Sequence, residues 1–406
     1  MKERKLFKKS LIVIAAMAVM LFAMTITASA ADVTGVKQTD DSTSSVEITW
    51  TSELGYEYKV AISESKDTGY QLVSNYASSS NTKYISGLTA GKKYYVVVGK
   101  YYNDVYKGQS DPIDVVTAPN YVQNSSIKQT AGSATAIALK WTAVAGATGY
   151  KVTKTGGGSK LTSTNSIKIG AKAGNKYSVE ISAYKKSSAG YVAMSGKAYK
   201  SSLYSAPAAP INYAEASKGN LDWKPTRSSQ FKLYWSYNPN YYIPDGYQLE
   251  IYSLSGTKLG SATTTSRYRE ITSSKICNAV KNKGFKTRIR SYKKNDSATI
   301  YSKWSATKVI IPQAAIKLTA TSSTSCKVTW PKVANATKYI IYVSRDSGVR
   351  DSGNWAKKEV SASTLSYNIT GLKKFKDFGV YVIPVVKVGT KSYKAAKTWY
   401  TYSYIY

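Results

Sequence analysis

A chain of 406 residues with 43% hydrophobic content is too long for one small sandwich and apolar enough to fold, so several domains are expected. The formal net charge is +34 and histidine is absent, which removes Ser-His-Asp and Cys-His catalysis and every histidine-ligated metal site. Two cysteines, Cys277 and Cys326, are too few for a disulfide framework.

Residues 1–30 read as a secretion signal. The stretch MKERKLFKKS carries five Lys/Arg, Leu11 to Met24 is apolar throughout, and Ala28-Ser29-Ala30 offers small residues for cleavage. Fourteen apolar residues fall short of the roughly 20 a spanning helix needs, and no later segment is apolar enough to span. The chain closes on TKSYKAAKTWYTYSYIY, with no hydrophobic tail or basic stop, so an LPxTG-type wall-sorting signal is not expected. Removing the signal leaves +30, and the product is expected to be exported and soluble, with no integral membrane segment.

Four short alternating strands then each close on a tryptophan: VEITW at Trp50, IALKW at Trp141, FKLYW at Trp235 and CKVTW at Trp330. The intervals are 91, 94 and 95 residues, one sandwich domain per repeat, and the alternation predicts an all-β fold. A second strand follows in each unit: GYEYKVAI, GYKVTKT, GYQLEIY and KYIIYV. A corner then precedes a later strand. The first repeat has Leu88, Gly91 and Tyr94; the second keeps Gly174 and Tyr177 with Ala171 at the leucine position; the fourth keeps Leu372 and has Phe378 for the tyrosine. The third offers Phe285 and no matching leucine.

These units resemble fibronectin type III domains, whose pattern is a tryptophan in one strand and a Leu-x-x-Gly-x-x-Tyr corner entering a later one. The resemblance covers about residues 32–406 and implies four tandem immunoglobulin-like β-sandwiches over residues 31–119, 120–210, 211–313 and 314–406, with prolines 119, 207 and 312 stiffening the junctions of an extended rod. It also implies that the corner leucine fills the core, that the glycine relaxes the turn, and that the tyrosine hydroxyl bonds to the backbone. Phe285 and Phe378 cannot make that bond, which forfeits about 0.5–1.5 kcal/mol apiece. Function does not follow, because one fold hosts adhesion, spacing, carbohydrate binding and receptor recognition alike.

No catalytic residue, cofactor or metal ligand is expected. Paired-carboxylate glycoside hydrolysis is the enzymatic alternative, disfavoured because the second repeat holds only Glu180. The best pairs elsewhere, Asp40-Asp41 and Asp111/Asp114, sit beside turns and strand ends and read as solvated loop carboxylates. TGGGSK, Thr155 to Lys160, lacks phosphate-loop spacing and reads as a hairpin turn. No DxDxDG calcium loop occurs. Cys326 takes the strand position of Val46, Ile137 and Phe231, so it reads as a core hydrophobe; a bridge to Cys277 would have to cross two domains.

The charge is uneven. Residues 31–119 carry eight Lys and eleven Asp/Glu, whereas each of the next three repeats has a surplus of eleven positive charges. Such a protein should adhere to polyanions, which makes anionic cell-wall polymers or glycans of a bacterial surface the expected partners, with a host or matrix protein as a further class. The alternative is that lysine serves solubility and edge protection. KTRIRSYKK matches no nucleic-acid reading motif, so only nonspecific nucleic-acid binding is expected. Thirty-six tyrosines against six phenylalanines suit half-wet surfaces. In YWSYNPNYYIPDGY, Tyr237, Tyr241 and Tyr242 fall in a long connection and are candidate ligand contacts, able to stack on sugars; the alternative is that they cap their own core. Tyr400, Tyr402, Tyr404 and Tyr406 share one face of a terminal edge strand. The expected role is a non-catalytic secreted or cell-surface adhesion or scaffold protein, with a carbohydrate-binding accessory protein as the alternative.

Overall fold

The computed structural model describes residues 32–214, 221–222, 230–345, 355–395 and 401–404. Residues 1–30, expected from the sequence to be a secretion signal, and Tyr400 and Tyr406 lie outside the described residues.

Four times along the chain the backbone builds one three-stranded and one five-stranded antiparallel sheet. The first repeat contains β1 (Lys37–Asp41), β2 (Ser45–Thr49), β3 (Glu57–Ser63), β4 (Gln71–Leu72), β5 (Thr82–Ser86), β6 (Lys93–Tyr102), β7 (Val105–Gln109) and β8 (Ile113–Val116). They are ordered β1-β2-β5 and β4-β3-β6-β7, with β8 also on β6. The second contains β9 (Lys128–Gly132), β10 (Ala136–Lys140), β11 (Gly149–Lys154), β12 (Ser159–Thr162), β13 (Ser166–Gly170), β14 (Lys176–Lys186), β15 (Val192–Met194) and β16 (Ala198–Tyr204). Their orders are β13-β10-β9 and β12-β11-β14-β15, with β16 on β14.

The third repeat contains β17 (Leu221–Asp222), β18 (Phe231–Tyr234), β19 (Gly246–Tyr252), β20 (Lys258–Thr264), β21 (Tyr268–Ile271), α1 (Ser274–Val280), β22 (Phe285–Asn295), β23 (Ala298–Tyr301) and β24 (Lys308–Ile310). Its sheets run β17-β18-β21 and β20-β19-β22-β23, with β24 on β22. The fourth contains β25 (Lys317–Ser322), β26 (Ser325–Thr329), β27 (Ala336–Ser344), β28 (Ala356–Ser361), β29 (Ser366–Ile369), β30 (Asp377–Val388), β31 (Lys391–Lys394) and β32 (Thr401–Tyr404). Its sheets run β25-β26-β29 and β28-β27-β30-β31, with β32 on β30. The chain is therefore a tandem of four β-sandwiches, the architecture that the resemblance implies.

Trp50, Trp141, Trp235 and Trp330 are all buried. A second aromatic recurs beside them. Tyr58, Tyr247 and Tyr339 lie 5.6, 5.3 and 5.5 Å from the indoles of Trp50, Trp235 and Trp330. The hydroxyls of Tyr58, Tyr150 and Tyr339 accept the N–H of Glu53, Val144 and Val333, each at 2.8 Å. These hydroxyls satisfy loop amides that would otherwise be orphaned at the sandwich end.

The predicted corner forms. The N–H of Thr89 donates to Tyr94 at 2.9 Å and that of Lys172 to Tyr177 at 2.7 Å, so the hydroxyl is the acceptor. Gly91 and Gly174 take φ of +65° and +73°, a conformation that costs a side chain. Leu88 packs partly buried against the first core, and Leu372 is buried in the fourth. Phe285 and Phe378 are buried in their cores. Where the third repeat lacks a leucine it has helix α1, whose Cys277 and Val280 enter the core instead. Ser273 caps it, accepting the N–H of Ile276. Cys277 and Cys326 form no disulfide and occupy different cores.

By contacts, the chain divides into two compact units. The first comprises the first repeat to Tyr121 with Val144–Tyr150 and Ser182–Gly196. The second comprises Val122–Ala143, Lys151–Ile181 and Lys197 onward.

Candidate functional site

Strand β22 alternates as its sequence requires: Phe285, Thr287, Ile289 and Ser291 face inward, leaving Arg288, Arg290 and Tyr292 on the outer face. Two serines then shape the next segment. Ser302 and Ser305 donate their N–H groups to the carbonyls of Ser291 and Ile289 at 2.9 and 2.7 Å, and their hydroxyls accept the N–H groups of the same two residues at 3.0 and 3.1 Å. Trp304, held between them, meets both arginines: the guanidinium carbons of Arg288 and Arg290 lie 4.4 and 4.5 Å from its ring centre. Arg290 also lies 3.8 Å from the Tyr301 ring, and Arg288 5.5 Å from Tyr252.

Carboxylate and amide oxygens fix this ladder from the adjoining strand. Arg288 reaches Glu250 at 2.7 Å, Lys258 reaches it at 2.6 Å, and Arg290 donates to Gln248 at 2.8 Å. Burial alone would raise the Glu250 pKa, but hydrogen bonds from Lys258, Tyr252 and Arg288 hold it down at about 2. Each cation–ring contact contributes about 0.5–1 kcal/mol at a surface. KTRIRSYKK is thus a preorganised aromatic and basic face, legible only once YSKWS, Tyr301 to Ser305, is placed beside it.

The three candidate tyrosines have separate surroundings. Tyr242 donates its hydroxyl to the Ser205 carbonyl, and its ring lies 5.0 Å from Tyr204. Tyr241 lies against Gly174 so closely that a methyl group there would fall 2.2 Å from its ring, yet it stays 38% exposed. Tyr237 sits 5.9 Å from Arg267. Two of the three therefore bridge to the preceding repeat, a packing role that the sequence did not disclose. Lys293 braces the same loop, pairing with Asp245 at 2.6 Å and lying 4.8 Å from the Tyr204 ring.

The acidic residues are likewise placed in structure. Within the first unit, Asp41 accepts the Tyr191 hydroxyl at 2.8 Å. Asp114, whose side chain is 7% exposed, accepts the N–H and hydroxyl of Ser188 at 2.7 and 2.9 Å. These two are junction acceptors, which corrects the expectation of solvated loop carboxylates; Val116 and Ala118 add apolar contact with Tyr191 and Ala193 there. Within the second unit, Asp296 accepts the N–H of Gln129 at 2.9 Å and pairs with Lys200 at 3.0 Å. Glu180, Asp245, Glu250, Glu270, Asp296 and Glu359 each hold a Lys or Arg. Within Thr155 to Lys160, residues 155–158 join β11 to β12 as a hairpin turn should, and Ser159 and Lys160 open β12. Among the described residues no three His, Cys, Asp or Glu converge as a metal site, and no helix is long and apolar enough to cross a membrane.

No protein-family model matches the chain, and no curated protein matches it. Solved structures do. The FN1–FN3 domains of chicken CNTN1 align over 89% of this chain and 97% of theirs, at 10% identity and a TM-score of 0.19. A two-domain fibronectin type III segment of chicken tenascin aligns over 41% of this chain and 97% of its own, at 16% identity and a TM-score of 0.26.

Proposed function

We propose that the protein is a non-catalytic, exported scaffold or adhesion protein that its basic repeats retain on anionic wall polymers or glycans. The charge distribution carries this reading. Beyond residue 120 the described acids named above are each held by a Lys or Arg, and each of the three later repeats still keeps a surplus of eleven positive charges. That surplus faces any polyanion uncompensated, and a charged surface larger than the roughly 8 Å screening length attracts one without a shaped cavity. The first repeat, with more acid than base, has no such attraction and projects away from the polymer.

The test is retention of the purified protein on an anionic wall polymer across a salt series. Bound protein should fall steeply as salt rises, and retention that persists unchanged in molar salt rejects the electrostatic part. Carbohydrate binding by Tyr237, Tyr241 and Tyr242 has weaker support, because Ser205 and Gly174 already engage Tyr242 and Tyr241.

A further inference from the structure

Each junction repeats one arrangement. The loop before the third strand of a sandwich lies on the corner that closes the sandwich before it, whereas the tip of the long hairpin in the second and third repeats lies on the first and last strands of the sandwich before it. In the first unit, Gly146 meets the corner glycine Gly91, where a methyl on Gly146 would fall 2.1 Å from the Gly91 carbonyl oxygen. In the second unit, Tyr241 meets Gly174, and the N–H of Ala334 donates to the carbonyl of Asn282 at 2.8 Å. Two surfaces of the same kind differ from these. The opening loops of the first repeat present Leu54, 102% exposed, and Val105, 55% exposed, beside Tyr102. The closing corner of the fourth repeat has Phe375 where Gly91 and Gly174 stand in the first two. Phe375 holds φ at +56°, a region bulky residues avoid, and remains 56% exposed.

We propose that these surfaces are complementary and that the chain assembles head to tail, the opening loop of one copy docking on the Phe375 corner of a second. Apolar groups meet, Phe375 against Leu54. The charges are opposite: beside Phe375 exposed Lys373, Lys374 and Lys376 outnumber exposed Asp377, and the first repeat carries three more acids than bases, although Glu53 beside Leu54 is already held by Lys100 at 2.6 Å. The contact would extend between copies the arrangement already built within the chain. Because the two faces differ, the interface is heterologous and does not close at a dimer. No polyanion takes part, so the inference stands apart from the function proposed above.

The experiment is sedimentation of the full chain over a concentration series at low salt, for the wild type, Leu54→Asp and Phe375→Gly. Both positions are exposed, and glycine relieves the backbone at 375, so neither change threatens folding. The wild type should grow with concentration beyond twice the protomer mass, and each variant alone should lose every species heavier than the monomer. An equimolar mixture of the two variants, which retains one intact copy of each face, should recover dimers and stop there. A wild type that stays monomeric, a wild type that stops at the dimer, a variant that assembles as the wild type does, or a mixture that stays monomeric overturns the proposal.

Discussion

Gln38 and Gln129 hold matched positions in the first strands of the first two repeats, and their surroundings show how one device is used at two strengths. Each closes the gap between its two sheets with a side-chain amide in place of a strand. Gln38 donates to the Val116 carbonyl at 2.8 Å and accepts the Val116 N–H at 2.9 Å. Gln129 does the same with Tyr204, at 2.7 and 2.9 Å. There the likeness stops. Gln38 is half-buried, whereas Gln129 is fully buried and also accepts from Asn295 of the third repeat at 2.7 Å, while its own N–H donates to Asp296. A sheet-closing amide in the first unit has become part of a repeat-to-repeat junction in the second. The added partners, and the burial they bring, should set its worth.

Replacement by alanine should break this comparison open. In Gln129→Ala the Tyr204 backbone groups and the Asn295 amide lose partners in a buried setting, so the loss should be about 3 kcal/mol or more. Gln38→Ala leaves only the Val116 groups, with water at hand, and should cost about 1 kcal/mol. Chemical denaturation of the two variants measures both. Equal losses would show that the junction contacts of Gln129 add nothing.

The sequence disclosed the repeat because Trp50, Trp141, Trp235 and Trp330 obey a local rule, an apolar residue at every second position of a strand. The corner was legible for the same reason. Helix α1 was missed, although Ser273 as cap, apolar Ile276, Cys277 and Val280, and Gly284 beyond its end mark a short helix. Tyr58, Tyr150, Tyr247 and Tyr339 recur just after each tryptophan and could have been found by alignment of the repeats to one another. The candidate site was less legible. Asp41, Asp114, Tyr241 and Tyr242 meet partners 37 to 150 residues away or in another repeat, and no spacing rule reports such contacts. Trp304 lies in the connection after β23 and its arginines on β22, so their ladder depends on how Ser302 and Ser305 fix that connection to the strand.

The junctions also differ in their opening loops, glycine on glycine in the first unit and tyrosine on glycine in the second. Tyr242→Phe sharpens that difference by removing one hydroxyl and leaving the ring beside Tyr204. It deprives the Ser205 carbonyl of its donor and should destabilise by about 1 kcal/mol. Replacing Tyr237, Tyr241 and Tyr242 together by alanine should lower the melting temperature further, since two of them bridge repeats. A triple variant that melts with the wild type would return those rings to ligand binding.

Acid should separate the junctions by the smallest margin. Burial would raise both Asp114 and Asp296, but Ser188 and Lys93 hold the first below the usual carboxylate range, and Gln129 and Lys200 hold the second. Depressed carboxyls stabilise the fold above the ordinary Asp value, about 3.9, and the contribution is lost as pH falls through their folded values. Asp41 runs the other way: burial pushes it up despite the Tyr191 hydrogen bond, so the fold binds its proton more readily than the unfolded chain does. Its contribution is present below the ordinary Asp value and lost as pH rises through the raised one. The first junction therefore combines opposed dependences and the second does not. Hydrogen exchange of the Ser188 and Gln129 amides, which bond to Asp114 and Asp296, should show Gln129 losing protection more steeply between about pH 5 and 2. Parallel loss at the two amides would mean that Asp41 is not coupled to its junction, and Asp41→Asn should then leave the Ser188 profile unchanged.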